Sequence, residues 1–165
     1  MIKNKETFIE KLYECNQHRQ KLLIASDRLK GIFPLNIKQY ESLSIEDLSF
    51  IDQLVYRFSK LQDSMGEKIF PSLLELLGET VKNKSYIDKL NRLEELNLVD
   101  RIEWMSLRKD RNEIAHEYSF NKSEVVESLN LIFGSINQIL NVYDHIYKYC
   151  LDKFDFVKKS TILKY

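Results

Sequence analysis

Apolar residues recur along most of the chain at steps of three, four or seven positions, which is the spacing of one face of an α-helix. We find no convincing run in which apolar and polar positions alternate, as they do in a half-buried strand. The pattern therefore predicts an all-α protein, folded as a single up-and-down bundle of about five helices. The positions expected in its core are Phe8, Leu12, Leu54, Phe58, Leu61, Trp104, Leu107, Phe133 and Ile136.

Short polar side chains predict where several helices begin. The first helix is expected over residues 5–29. Ser44 and Asp100 are suited to cap two later helices, because their side-chain oxygens can accept hydrogen bonds from the first free backbone amides. Ser123 is the predicted cap of a last long helix that continues to about residue 154.

Two helix breakers fall within the second long helical pattern. Gly66 and Pro71 predict either a kink or a break followed by a short helix. Neither is part of a linker, so one domain is expected over residues 1–165. The pattern predicts a further helix over about 100–118 and leaves the tail, 155–165, without an assigned structure.

Composition limits the function classes. The 165 residues carry 25 Lys and Arg against 25 Asp and Glu, so the protein is no bulk polycation and any nucleic-acid contact must come from a local patch. The tail contributes lysines that are more typical of a solubility feature than of a binding groove. No apolar run has the length of a membrane span or the form of a signal peptide, so we expect a cytoplasmic protein with no membrane partner.

Cysteine and histidine positions give no indication of a metal site. Cys15 and Cys150 match no metal-binding spacing, and two reduced thiols are favoured over a disulfide that joins the chain ends. His18 and His145 are expected on the surface, each without a second ligand at helical spacing. We therefore expect no metal and no other cofactor.

One segment, residues 104–118, concentrates polar chemistry around a thin apolar seam. At about 100° per residue, Asn112 and His116 share one stripe of the helix, and Arg108 lies about one turn before Asn112. Arg111 and Tyr118 share a second stripe about 100° away. Such a face is either a solvated surface with helical Arg–Glu pairs or a functional site.

The residues of this segment, taken together, favour a functional site over a solvated surface. Four residues separate Arg111 from His116, one residue separates His116 from Tyr118, and Asn112 directly follows the arginine. This spacing resembles the Arg-x4-6-His-x-Tyr signature of HEPN-domain ribonucleases, in particular HepT-like toxins. The resemblance extends over about 48–118, where the residues ahead of the motif and the preceding helix are also similar to the family: Trp104, Leu107 and Arg108, and residues 57–66.

This resemblance implies a homodimeric helical bundle in which the motifs of both subunits line one cleft. It implies metal-independent cleavage of RNA by a toxin of a type II/VII-like toxin–antitoxin system, and a minimal nucleotidyltransferase as antitoxin. Arg111 and His116 would be the catalytic pair, supported by Asn112 and Arg108. Tyr118 would be the residue to which the antitoxin transfers AMP.

The residue types suit this chemistry independently of the family. Imidazole can exchange protons near neutral pH, and a guanidinium stays charged and presents a fork of donors to phosphate oxygens. Arg111 and His116 lie about 140° apart on the helix, so one helix does not aim both at the same phosphate unless the arginine side chain wraps round it. A two-fold partner would remove this difficulty, because it would bring one subunit's histidine to the other's arginine. Two alternatives remain: a non-catalytic helical partner that binds a nucleotidyltransferase, its nucleotide or its substrate, and a scaffold whose motif is a polar dimer face.

Overall fold

The computed structural model describes residues 2–113 and 120–163 of the chain. Within these ranges every regular element is a helix, and there is no strand. The predicted all-α bundle is therefore confirmed. In chain order its elements are α1 (Ile2–Leu29), α2 (Ile37–Glu41), α3 (Ile45–Ser64), a π-helical turn (Met65–Ile69), α4 (Phe70–Leu76), α5 (Tyr86–Glu95), α6 (Arg101–Glu113), α7 (Lys122–Lys153) and α8 (Asp155–Lys158).

The long helices bury one shared apolar core. α1 packs chiefly against α3, while α7 lies against α1, α3 and α6. Eight of the nine predicted core residues are buried. The ninth, Phe133, is half-buried and stacks on Phe33 with the ring centroids 4.3 Å apart.

Side-chain caps define the helix starts that orient the bundle. Ser44 Oγ accepts from the backbone N–H of Asp47 at 3.0 Å, which confirms the predicted cap of α3. For α7 the prediction was wrong by two residues. The side chain of Asn121 accepts from the backbone N–H of Ser123 at 3.1 Å, so the helix begins at Lys122 and Ser123 already lies inside it.

The helix does not break at the two predicted breakers. α3 continues through the π-helical turn into α4, and the backbone N–H of Phe70 bonds to the carbonyl of Met65, five residues back. Pro71, which has no N–H to donate, is the second residue of α4 and lies just beyond this wide turn. The helix thus passes both Gly66 and Pro71 without an intervening loop.

The end of the chain folds back onto the start of α1. Val157 and Leu163 are buried, and the ring of Phe8 makes edge contacts with Phe154 and Phe156, each with centroids 6.4 Å apart. The tail that the sequence left unassigned is therefore part of the core packing.

The two cysteines are free and buried, which confirms the favoured interpretation of the sequence. Burial raises the pKa of both Cys15 and Cys150 to about 12, so both remain protonated thiols at neutral pH.

The expectation for His18 was wrong. Its side chain is buried between α1 and α3, only 6% exposed, and its Nδ1 lies 2.9 Å from Arg57 Nη1. His145 is exposed, as expected, and its Nε2 lies 3.0 Å from the carbonyl oxygen of Asn97. None of the described helices is both long enough and apolar enough to span a membrane.

Candidate functional site

Helix α6 carries the described part of the motif and is fixed by one face. Trp104 and Leu107 on that face are fully buried. Asp110, the next residue on the same face, is 7% exposed and accepts a 2.5 Å hydrogen bond at Oδ2 from the hydroxyl of Ser135 on α7. The remaining faces of α6 are left for the polar residues of the motif.

Three elements form a cleft beside α6. Its volume is about 350 Å³, and it lies between the end of α3, the π-helical turn, the start of α5 and the second half of α6. The cleft is lined by cationic and anionic side chains, by one amide side chain from α3 and one from α6, and by a tyrosine and a glycine. These residues are Gln62, Asp63, Gly66, Glu67, Tyr86, Arg108, Arg111 and Asn112.

Arg111 is held in the cleft by a bidentate ion pair. Its Nε lies 3.0 Å from Asp63 Oδ1, and its Nη2 lies 3.1 Å from Asp63 Oδ2. The hydrogen bonds to Asp63 raise the pKa of Arg111, which keeps the guanidinium charged. Both side chains are about one-third exposed, 36% for the arginine and 29% for the aspartate, so solvent weakens the attraction but the planar geometry still fixes the fork.

Arg108 is positioned by an aromatic ring instead of a carboxylate. Its guanidinium carbon lies 4.2 Å from the centroid of the Tyr86 ring, which is a cation–π contact. The hydroxyl of Tyr86 in turn accepts a short hydrogen bond from the indole N–H of Trp104. Burial raises the pKa of Tyr86, so its phenol stays neutral and the stack carries one positive charge.

Gly66 allows these aromatic rings to approach the π-helical turn. A Cβ built on Gly66 would lie 3.0 Å from the hydroxyl oxygen of Tyr86 and 3.3 Å from a ring carbon of Trp104. The close contact explains a glycine in the middle of a continuous helix, where the residue otherwise lowers stability. The sequence singled out this glycine as a breaker, whereas in the structure its role is close packing.

The formal charges around the cleft cancel. Arg108 and Arg111 contribute two positive charges, and Asp63 and Glu67 contribute two negative charges. A phosphate can therefore bind here only through directed hydrogen bonds, because the cleft as a whole offers no excess of positive charge. The ion pair with Asp63 uses two of the five N–H donors that a guanidinium carries.

Three of the sequence-predicted site residues meet in this cleft. Arg108, Arg111 and Asn112 all line it, although the helical stripes separated Arg111 from the other two. The long arginine side chain reaches across the surface between the stripes. His116 and Tyr118 lie outside the described residues.

Two residues that shape the cleft were not predicted from the sequence. Asp63 lies within the stretch 57–66 that resembles the family, but nothing in its local pattern pairs it with an arginine 48 positions later. Tyr86 follows a turn and stands among polar residues. Both contacts join elements that are distant in the chain, so helical spacing carries no signal for them.

Among residues 2–113 and 120–163, no group of three or more His, Cys, Asp or Glu side chains is placed to hold a metal ion. Comparisons with protein-family models, curated proteins and solved structures gave no significant match for the chain.

Proposed function

We propose that the protein is a metal-independent endoribonuclease of the HepT-like HEPN type. In this proposal Arg111 binds the scissile phosphate and His116 transfers protons, with Arg108 and Asn112 in supporting positions. The observation that carries the proposal is the convergence of Arg108, Arg111 and Asn112 on one cleft. Two guanidinium groups and an amide on a concave surface are donors suited to the non-bridging oxygens of a phosphate.

The reaction requires three events that these groups supply. The 2'-hydroxyl of the ribose loses its proton, its oxygen attacks the adjacent phosphorus, and the 5'-oxygen leaves with a proton, which gives a 2',3'-cyclic phosphate end. An imidazole moves the protons, since its unperturbed pKa is near neutral. Arg111 stabilises the negative charge that develops on the phosphate oxygens.

Asp63 orients Arg111 in this scheme. A carboxylate that accepts from Nε and Nη2 directs the Nη1 side of the guanidinium towards other acceptors. Because the arginine is held before substrate arrives, less side-chain entropy is lost on binding. The stack of Arg108 on Tyr86 does the same for the second cation.

The proposal includes a homodimer and an antitoxin. In this proposal a two-fold interface along the motif helix brings the histidine of one subunit to the arginine of the other. The antitoxin would be a minimal nucleotidyltransferase that transfers AMP to Tyr118. An AMP group on this phenol would add a negatively charged phosphate to the motif segment, and that charge would repel the RNA phosphate.

A non-catalytic function is the second candidate, and one observation favours it. The charges around the cleft cancel, and its motif arginine already has a carboxylate partner. A helical subunit that binds a nucleotidyltransferase or its nucleotide would need the same polar surface without proton transfer. This candidate predicts partner binding with no RNA cleavage.

The deciding experiment is cleavage of a mixed RNA pool by the purified full chain in the presence of a chelator. We expect cyclic-phosphate ends from the wild type and loss of cleavage in His116→Ala and Arg111→Lys. Arg101→Lys is the matched control, because Arg101 lies on the same helix, outside the cleft, and its guanidinium bonds to Asn91 at 3.2 Å. If the folded wild type leaves the RNA intact at high protein concentration, the ribonuclease function is rejected in favour of the non-catalytic binding function.

A further inference from the structure

A second cavity lies where the two ends of the chain meet. Its volume is about 800 Å³, and it is bounded by the first turns of α1, one side of α4, and the junction of α7 with α8. We call it the lysine pocket. Five lysines line it, Lys3, Lys5, Lys11, Lys153 and Lys159, against the two carboxylates of Glu75 and Asp155, which leaves an excess of three positive charges.

These lysines are poorly compensated by the rest of the protein. Among the described residues, only Lys159 of the five has a carboxylate oxygen within 4.0 Å, that of Asp155 at 3.9 Å. The half-buried Lys11 donates to the hydroxyl of Ser72 at 2.9 Å, and the Lys5 ammonium lies 5.4 Å from the centroid of the Phe156 ring. Both of these partners are neutral, so the positive charge of the pocket remains.

A concave site that collects like charges favours an ion of the opposite sign. Lys5 and Lys11 are half-buried, whereas Lys3, Lys153 and Lys159 are exposed. The walls of the cavity have a lower dielectric constant than water, so they focus the field of these ammonium groups into the space between them. The volume is in the range of about 300–1,000 Å³ that is usual for small-molecule sites. A compact anion with several negative charges therefore fits the lysine pocket better than a single carboxylate does.

One wall of the pocket is aromatic. Phe154 and Phe156 are half-buried and line the cavity beside the lysines. Flat apolar rings next to cationic side chains suit a ligand with a planar base at one end and phosphates at the other. The two ends of a nucleotide have this division of chemistry.

We propose that the lysine pocket binds a small polyphosphate anion of the nucleoside triphosphate type. The ammonium groups of Lys11, Lys153 and their neighbours would bind the phosphates, and Phe154 and Phe156 would contact the base. The lysine pocket shares no lining residue with the α6 cleft, so this site goes beyond the proposed ribonuclease activity and is independent of it.

The test is calorimetric titration of the full chain at low ionic strength, with a chelator present. Inorganic triphosphate, ATP and AMP are the three probes. We expect both triphosphates to bind and AMP to bind at least about tenfold more weakly, because it offers fewer phosphate oxygens to the ammonium groups. If ATP binds more tightly than inorganic triphosphate, the base contributes through the aromatic wall; equal affinities assign all the binding to the phosphates and remove the nucleoside from the proposal.

Variants locate the binding. The double variant Lys11→Gln with Lys153→Gln should weaken triphosphate binding at least about tenfold. Lys148→Gln is the matched control, because Lys148 is exposed on the same helix as Lys153 and pairs with Asp152 outside the pocket. The control should bind within about twofold of wild type, since an exposed charge at a distance is screened.

Two results would overturn the proposal. One is the absence of triphosphate binding by the wild type at millimolar concentration, and the other is equal binding by wild type and the double variant. If the double variant does not fold, amide NMR shifts of the wild type decide: triphosphate must perturb residues 3–11 and 153–159, and shifts confined to other residues contradict the site. RNA cleavage by a folded double variant should be unchanged, so failure of this proposal and failure of the ribonuclease function are separate results.

Discussion

The α6 cleft and the lysine pocket treat positive charge in opposite ways. In the cleft each arginine is positioned by a partner, Arg111 by the carboxylate of Asp63 and Arg108 by the ring of Tyr86. In the lysine pocket five ammonium groups share two carboxylates, and one ion pair forms among the described residues. The cleft therefore fixes the direction of its hydrogen-bond donors, whereas the lysine pocket accumulates positive charge.

The difference indicates which ligand each site can select. A guanidinium held by a carboxylate offers directed donors with little net attraction, so its affinity depends on a ligand of matching shape. Flexible lysines in a cavity attract any compact polyanion, and that attraction falls with added salt.

The largest expected effect separates the two sites by function. Arg111→Lys keeps the charge and removes the planar fork, so we expect RNA cleavage to fall about hundredfold or more while triphosphate affinity stays within about twofold. The Lys11→Gln and Lys153→Gln double variant should show the reverse. Measuring both cleavage and triphosphate binding for each variant tests this. If both variants changed both properties, the sites would be one functional unit and the comparison would fail.

The second prediction concerns the packing that shapes the cleft. Gly66→Val places side-chain atoms where Tyr86 and Trp104 already lie, so the free energy of unfolding should fall by about 1–3 kcal/mol. Urea unfolding of the two proteins gives the difference. Gly134→Val is the control, because a Cβ at Gly134 has no neighbouring atom within 4 Å, and its change should stay within about 0.5 kcal/mol. Equal effects at the two glycines would contradict the close packing.

A third, smaller effect concerns an arginine that has a neutral partner. His18 Nδ1 lies 2.9 Å from Arg57 Nη1, and because a guanidinium only donates, the imidazole accepts in its neutral form. Burial and the charge of Arg57 lower the pKa of His18 below its usual value of 6.5. The unfolded chain therefore binds a proton more readily. The contribution of His18 to stability is complete above pH 6.5 and is lost as the pH falls through the folded-state pKa.

Urea unfolding at several pH values between about 7.5 and 5 measures this contribution. The free energy of unfolding of wild type should fall more steeply with decreasing pH than that of His18→Gln. His145→Gln serves as the control, because it removes an exposed histidine from a different helix of the same protein. A wild-type slope equal to that of His18→Gln would show that the neutral pair contributes nothing.

The smallest expected effect is on stability when the cleft loses its carboxylate. Asp63→Asn should change the free energy of unfolding by at most about 1 kcal/mol, because the ion pair is partly exposed. Asp144→Asn is a matched control, since Asp144 accepts from Arg19 in the same bidentate way at 2.6 and 2.9 Å. RNA cleavage should fall in Asp63→Asn alone. A drop in both variants would point to a general loss of stability.

Local chemistry explains the parts of the fold that the sequence predicted correctly. Ser44 and Asp100 cap their helices as expected, because a cap depends on a side chain and an amide three residues away. His18 shows how neighbours can mislead: it stands between Gln17 and Arg19, yet it lies three residues after the buried Cys15 and four before the buried Leu22. The helical spacing carried the correct signal.

The cleft was only partly predictable. Arg108, Arg111 and Asn112 lie on one short helix, so the motif alone identified them. Asp63 and Tyr86 come from other helices, and they reach the cleft only because α3 and α5 both pack against α6.

By itself, the sequence determined the helical class, many of the core positions, most helix ends and the polar segment of α6. These features follow from hydrophobic periodicity and from contacts within one helical turn, which the chain order contains. Only the tertiary structure decided that Arg111 meets Asp63 and that lysines from both chain ends share one cavity. These contacts depend on how separate helices pack. The packing is stabilised by the whole buried core, and the polar residues that meet at the two sites contribute little to it.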